Sequence, residues 1–203
     1  MAYIALGSNL PSSAGGPAAT VEEAIRRLGA LSEVVARSSL YATQPVGAVS
    51  QPAFVNAAAA LATRQTPVQL LRSLMSIERE LGRDRSRTPP KGPRSLDLDI
   101  LLIDDLVLQT PELTLPHPAL AERRFVLAPL AEIAPELRHP VLHRTVAELL
   151  ASLADEGQNR AAAVRILSAE AVADEESAAH RLGFEASSTE RAQPLRAAPL
   201  RRS

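Results

Sequence analysis

The chain has 203 residues, of which 46% are hydrophobic and 22% charged, and its length suits one domain with a substantial core and some excess chain. Its formal net charge of −1 excludes a general electrostatic attraction for nucleic acid, so no nucleic-acid partner is expected. The absence of cysteine excludes disulfides and thiolate metal sites.

The N-terminal part of the chain predicts a strand followed by a helix. Residues 2–6 have the composition of a short buried strand, and the run Gly7-Ser8-Asn9 is typical of a turn. Thr20 and Glu23 have the spacing of a capping box, which predicts that a helix begins there.

Two strands and the clearest helix follow. Residues 33–41 predict a strand. Residues 54–63 are rich in alanine, which favours a helix, but the segment is short and closely bounded, so a strand is predicted. A helix is predicted over 67–81, because Thr66 suits the N-cap position and Gly82 the stop.

The second half of the chain predicts further alternation of strands and helices. A strand is expected over 95–103, with a short partner strand at 106–108 after a turn. Helices are expected over 125–133 and 145–153, and a last strand over 164–167.

The order strand, helix, strand, strand, helix, strand is that of an α+β ferredoxin-like sandwich, with a mostly antiparallel sheet and helices packed on one face. From residue 169 the chain is rich in Ala, Glu, Ser and Arg and has almost no apolar periodicity. We therefore predict one domain over 1–168 and a disordered tail over 169–203.

The segment around Asp97 and Asp99 suggests the chemistry. In a strand, alternate side chains share a face, so the two carboxylates lie opposite Leu96, Leu98 and Ile100. The preceding loop carries five basic residues: Arg83, Arg85, Arg87, Lys91 and Arg94. Carboxylates bind hard cations and arginines bind phosphate oxygens, so this pattern favours a site for Mg²⁺ with a polyphosphate. The alternative is a solvated strand edge after a charged loop.

Several segments, taken together, are specific enough to indicate a family. They are residues 5–10, 51–56, 77–83, 92–99 and 115–135, and they include Gly92-Pro93-Arg94-Ser95-Leu96-Asp97-Leu98-Asp99 and Pro116-His117-Pro118. In these segments the chain resembles the 6-hydroxymethyl-7,8-dihydropterin pyrophosphokinases of folate biosynthesis, over about residues 2–150. Members of that family transfer pyrophosphate from ATP to a pterin alcohol.

The resemblance implies a role for each matching residue. Asp97 and Asp99 match ligands of two Mg²⁺ ions that are bound with ATP, and Arg83 and Arg94 match catalytic arginines. The implied ATP contacts are Glu78, Arg85, Arg94, His117 and Arg123. The implied pterin contacts are Thr43, Val46, Gly47, Phe54, Asn56 and Phe125. Without the resemblance, the two phenylalanines suit a core, Asn56 a turn and Glu78 an exposed helix face.

The implied reaction is attack by the pterin hydroxymethyl oxygen on the β-phosphorus of ATP, with release of AMP. Positioning and electrostatic stabilisation are expected to supply most of the rate, and the loop over 82–92 is expected to close over both substrates. Two alternatives remain at this point: a metal-dependent phosphohydrolase that uses the same carboxylates, and a catalytically silent nucleotide-binding or scaffold protein.

The sequence also bears on location and assembly. No apolar run approaches the roughly 20 residues that a membrane span needs, and the first residues lack the basic region of a signal peptide. A cytoplasmic, monomeric enzyme without a membrane partner is therefore expected.

Overall fold

A computed structural model describes residues 1–44, 51–83, 92–155 and 164–168. The strands are β1 (Ala2–Ser8), β2 (Glu33–Arg37), β3 (Tyr41–Thr43), β4 (Phe54–Ala62), β5 (Asp97–Ile103), β6 (Leu108–Gln109), β7 (Thr114–Leu115) and β8 (Val164–Ile166). The helices are α1 (Pro17–Leu31), α2 (Pro67–Glu80), α3 (Arg124–Ile133) and α4 (Val146–Asp155). None of the helices in these ranges is long and apolar enough to cross a membrane.

Six of the strands form one antiparallel sheet in the order β5-β1-β4-β3-β8, and β2 pairs with β4 beyond the end of β3. The predicted α+β class with a mostly antiparallel sheet is confirmed. The long strand β4 is central, because β1 pairs along one of its edges while β2 and β3 share the other.

The sheet is covered on both faces, which differs from the prediction of helices on one face. Ala57 and Ala59 of β4 pack in a cluster with the buried side of α1 and α2. Ala58, between them, packs in a second cluster with α3 and α4. Since successive strand residues point to opposite faces, a run of buried alanines lets helices approach the sheet from both sides.

The predicted start of the first helix at Thr20 is wrong. The helix α1 begins at Pro17, and the Thr20 hydroxyl donates to the Gly16 carbonyl at 2.9 Å from a fully buried position inside the helix. Glu23 binds Arg26 and Arg27 instead of capping the helix. Proline is well suited to the first turn of a helix, and it is the signal that marks this start.

The predicted signals of α2 and α4 are confirmed. Thr66 and Gln69 form a reciprocal capping box at the start of α2, and Gly82 follows the helix with φ of 86°, a conformation that favours glycine. Thr145 and Glu148 likewise accept hydrogen bonds from each other's backbone N–H groups at the start of α4. Local side-chain hydrogen bonds fix these boundaries.

Two predicted strands differ in detail. The single strand predicted over 33–41 is instead β2, which ends at Arg37, followed by β3, which begins at Tyr41. Between them the Ser38 hydroxyl accepts the N–H of Ala58 at 2.9 Å. The partner strand predicted at 106–108 begins at Leu108 and pairs with β7 rather than with β5. The Leu106 N–H donates to the Ile103 carbonyl in the turn that separates them. The predicted tail over 169–203 lies outside the described residues.

Candidate active site

A cavity of about 220 Å³ opens on the α3 side of the sheet. It lies beside β1, β4 and β5, and it brings together residues that are far apart in the sequence. The predicted site residues that line it are Thr43, Phe54, Asn56, Arg94, Asp97, Asp99, Arg123 and Phe125. The predicted pterin contacts Val46 and Gly47 and the predicted ATP contact Arg85 lie outside the described residues.

The two carboxylates share one face of β5, as predicted. Leu98 and Ile100 point to the opposite face and are buried in the cluster with α1 and α2. Asp97 and Asp99 point into the cavity, with side chains that are 18% and 40% exposed. Strand alternation therefore places both carboxylates where a ligand can reach them.

Two arginines flank Asp97. The Arg83 Nη1 lies 2.7 Å from Asp97 Oδ1 and also donates to the Leu96 carbonyl at 2.6 Å. The Arg94 Nε lies 3.3 Å from Asp97 Oδ2. Across the described residues, the Nε atoms of both arginines are buried without a hydrogen-bond partner. Each of these Nε atoms still lies close to a carboxylate, Arg94 Nε to Asp97 Oδ2 at 3.3 Å and Arg83 Nε to Glu78 Oε2 at 3.7 Å.

Glu78 supports this arrangement from the last turns of α2. Its side chain is 1% exposed, and its Oε1 accepts the N–H of Leu98, the residue between the two aspartates, at 3.0 Å. Its Oε2 lies 3.7 Å from Arg83 Nε. The carboxylate thus faces β5 and Arg83, and the ATP contact predicted for Glu78 stays a prediction.

Asp99 lies near a histidine whose tautomer is defined. The His117 Nδ1 accepts the N–H of Ala119 at 3.1 Å, so the neutral ring carries its proton on Nε2, which lies 4.0 Å from Asp99 Oδ2. Burial, and then the neighbouring Asp97 carboxylate, raises the pKa of Asp99. Burial lowers the pKa of His117, against the opposing effect of Asp99. Two adjacent carboxylates in this setting favour a bound cation.

The aromatic side of the cavity is formed by Phe54 and Phe125, which are both partly exposed. The Arg94 guanidinium carbon lies 5.4 Å from the centre of the Phe54 ring, and that of Arg123 lies 5.8 Å from the Phe125 ring. Asn56 donates from Nδ2 to the Thr43 hydroxyl at 2.7 Å. Aromatic faces and amide edges of this kind suit a flat polar heterocycle.

Gly7 of β1 lies opposite Asn56 and forms part of the cavity lining. A Cβ atom at this position would lie 2.9 Å from Asn56 Oδ1, which is closer than such atoms approach. The absence of a side chain at Gly7 therefore leaves room for the Asn56 amide.

Some polar residues of the cavity were not predicted. They are Gln44, Gln51 and Glu122, which line it together with the residues above. Gln44 and Gln51 lie at the two ends of the connection between β3 and β4, and Glu122 lies just before α3. Gln51 and Glu122 fall within the family segments 51–56 and 115–135, but no residue pattern assigns them a role.

Known proteins match this chain over the segments that build the cavity. The family described as 7,8-dihydro-6-hydroxymethylpterin-pyrophosphokinase (HPPK) matches residues 3–135. The chain belongs to the HPPK family. A 2-amino-4-hydroxy-6-hydroxymethyldihydropteridine pyrophosphokinase from Pseudomonas aeruginosa is 45% identical over 160 residues, 78% of this chain and 94% of the relative. The Haemophilus influenzae protein of the same name is 42% identical over 76% of this chain and 93% of its own length.

Longer HPPK relatives also match. The Folic acid synthesis protein fol1 of Schizosaccharomyces pombe is 40% identical over 77% of this chain, which spans only 21% of that protein. A crystal structure of Plasmodium falciparum HPPK-DHPS has a TM-score of 0.59 at 16% identity, and the match covers 76% of this chain and 43% of that one. The structural match confirms the fold. The predicted family, enzyme class and pyrophosphoryl-transfer function are confirmed by the sequence matches.

The donor set of the HPPK site suits a magnesium ion that binds together with a nucleotide. Within the described ranges, no group of three or more His, Asp or Glu side chains could hold a metal ion on its own. Asp97 and Asp99 supply two carboxylates, and Mg²⁺ usually binds through one or two carboxylates, water and substrate phosphates. The donor set therefore suits Mg²⁺ with ATP better than a permanently bound structural metal.

Proposed function

We propose that this chain transfers pyrophosphate from ATP to the hydroxymethyl group of 6-hydroxymethyl-7,8-dihydropterin, releasing AMP, in the cavity beside β1, β4 and β5. The proposal rests on one observation above all. Asp97 and Asp99, flanked by Arg83 and Arg94, open into the same cavity as an aromatic pair and a buried amide. One half of the cavity thus suits phosphate, and the adjoining half suits a flat heterocycle.

In the phosphate half, Asp97 and Asp99 would hold two Mg²⁺ ions together with ATP, as the family resemblance implies. Bound Mg²⁺ neutralises phosphate charge and helps to align an in-line displacement. Arg83 and Arg94, which flank Asp97, would bind oxygens of the transferring group through their guanidinium groups. His117 and Arg123 border Asp99 and would orient the nucleotide, and Glu78 and Arg85 keep their implied ATP contacts as part of the proposal.

In the heterocycle half, Phe54 and Phe125 would sandwich the pterin ring, and Thr43 and Asn56 would bind its edge. Val46 and Gly47 would complete that edge. Both halves act by positioning: the hydroxymethyl oxygen is brought to the β-phosphorus while fixed cationic groups stabilise charge on the transferring group. The cytoplasmic location, the monomeric state and the single domain over 1–168 stay predictions.

The reaction can be tested with purified full-length protein, ATP, Mg²⁺ and the pterin alcohol. We expect AMP to form in proportion to the pterin added and to be absent without it, measured by chromatography. Phosphate release at the same rate without pterin would instead indicate a phosphohydrolase. Binding of ATP with no turnover in either condition would indicate a silent nucleotide-binding protein.

The aromatic pair gives a prediction about binding. Phe54→Ala and Phe125→Ala are each expected to weaken pterin binding far more than ATP binding, because a stacked aromatic contact contributes about 1 kcal/mol beyond the area it buries. Calorimetric titration of each variant with the two ligands measures the difference.

Leu127→Ala is the matched control for Phe125→Ala, since Leu127 lies two residues further along α3 and is fully buried in the core. It is expected to lower the free energy of unfolding by about 2–5 kcal/mol while leaving pterin affinity unchanged. If the phenylalanine variants behave like this control, the two rings are core residues and not ligand contacts.

A further inference from the structure

Asn9 joins the two halves of the site, although its place in the run Gly7-Ser8-Asn9 suggests only a turn. The residue follows β1 directly and is 2% exposed. Its side chain contacts the segment that ends in Arg94 and the segment that leads into Phe54. These two segments contain Pro52 and Arg94, which are far apart along the chain, and they meet at the Asn9 side-chain amide.

The first contact fixes the main chain of Arg94. Asn9 Oδ1 accepts the Arg94 N–H at 2.8 Å, and the backbone N–H of Asn9 donates to the Arg94 carbonyl at 3.1 Å. The N–H of Leu10 donates to the same carbonyl at 3.2 Å. Asn9 therefore binds both the backbone N–H and the backbone carbonyl of Arg94. These contacts lie just beyond the point where the β1–β5 pairing ends at Gly7 and Asp97.

The second contact fixes the segment before β4. Asn9 Nδ2 donates to the Pro52 carbonyl at 3.2 Å and to Gln51 Oε1 at 3.3 Å. Phe54 follows Pro52 by two residues, and its ring lies 5.4 Å from the Arg94 guanidinium carbon. The same amide thus accepts a hydrogen bond from the phosphate side and donates to the aromatic side.

From these contacts we infer that Asn9 is a positioning residue that sets the Arg94 guanidinium and the Phe54 ring at the separation the reaction needs. This inference rests on the roles proposed above for Arg94 and Phe54. The positioning role requires a short side chain at residue 9 that has both a hydrogen-bond acceptor and a donor, as asparagine has. Aspartate would keep the acceptor, but its second oxygen would face the Pro52 and Gln51 oxygens. Alanine would keep neither contact.

The two contacts predict different effects for the two substitutions. Asn9→Ala should slow single-turnover AMP formation by about tenfold to a hundredfold and weaken pterin binding, since misplacement of a reacting group by about 1 Å can have an effect of that size. Asn9→Asp should weaken pterin binding similarly and retain more of the rate, because Arg94 keeps its acceptor.

Ser38→Ala is the matched control. Ser38 is also a buried polar residue that accepts a backbone N–H, in this case from Ala58 at 2.9 Å, and it does not line the cavity. Its variant should lower the melting temperature but leave the single-turnover rate and the pterin affinity within about twofold of wild type.

The experiment compares rate, calorimetric pterin affinity and melting temperature for wild type and the three variants. If wild type forms AMP but Asn9→Ala differs from Ser38→Ala only in melting temperature, the positioning role is overturned while the proposed function stands. Equal losses of rate for Asn9→Ala and Asn9→Asp would overturn the division between the two contacts. If Asn9→Ala does not fold, the comparison of Asn9→Asp with Ser38→Ala decides. Failure of wild type to form AMP would contradict the proposed function itself.

Discussion

Replacing Asp97 or Asp99 with alanine is expected to reduce pyrophosphate transfer by about three orders of magnitude, because each carboxylate would hold cationic charge beside the phosphate chain. Asp97 also lies between Arg83 and Arg94, so its loss removes a carboxylate from both arginines and leaves Glu78 as the carboxylate beside Arg83. Steady-state AMP formation at saturating ATP and pterin measures the effect.

The interpretation requires that the variants stay folded. Asp97→Asn preserves the shape of the side chain and separates loss of charge from loss of packing. Asp105→Ala is the control, since Asp105 is an exposed aspartate just beyond the end of β5 and outside the cavity. A second readout is the rise in melting temperature on adding ATP with Mg²⁺ rather than with a chelator. If either alanine variant retains activity within about tenfold of wild type, the proposed metal role is wrong.

The second large effect is expected for Arg83→Ala and Arg94→Ala, which should slow the chemical step by about a hundredfold or more with a smaller change in ATP affinity. The Arg83 Nη1 lies 2.7 Å from Asp97 Oδ1, and a cation bound at Asp97 would compete for that oxygen. In its proposed role, Arg83 would exchange a carboxylate partner for a phosphate partner. The proposed contact with the transferring group would form only after that exchange.

Single-turnover rates and ATP titrations distinguish this role from simple phosphate binding. Arg72→Ala serves as the control, because Arg72 is exposed on α2 and does not line the cavity. If both variants lose ATP affinity and keep the wild-type chemical step, the arginines only bind the nucleotide. Removal of Arg83 should also lower the Mg²⁺ concentration needed for half-maximal ATP binding, since Asp97 Oδ1 then loses its arginine partner while Arg94 stays beside Oδ2.

The sequence predicted those parts of the fold that depend on neighbouring residues. Thr66 and Pro67 adjoin, so the start of α2 is readable from the chain, and the structure adds Gln69 as the partner of Thr66 in a capping box. The common face of Asp97 and Asp99 follows from strand alternation alone. The prediction places the start of α1 at Thr20, because threonine is a common N-cap residue. In the structure the Thr20 hydroxyl instead donates to the Gly16 carbonyl from inside the helix.

The remaining features depend on contacts between distant segments. Nothing near residues 108–109 specifies that they pair with β7 rather than with β5. The burial of Ala58 against α3 and α4 depends on helices that come much later in the chain. Asn9 was read as a turn residue because its partners, Pro52 and Arg94, are remote in the sequence. Hydrogen bonds of this range leave no periodic signal.

The absence of a side chain at position 7 affects how inhibitors of this enzyme could lose potency. Where Gly7 lines the cavity, a bound molecule meets peptide atoms that every amino acid shares, and a side chain there would collide with the Asn56 amide. Resistance substitutions usually act by changing the side chains that a drug contacts. A compound that draws its affinity from this stretch of main chain offers few such changes, and a substitution at Gly7 itself would also disturb the amide proposed to bind the substrate.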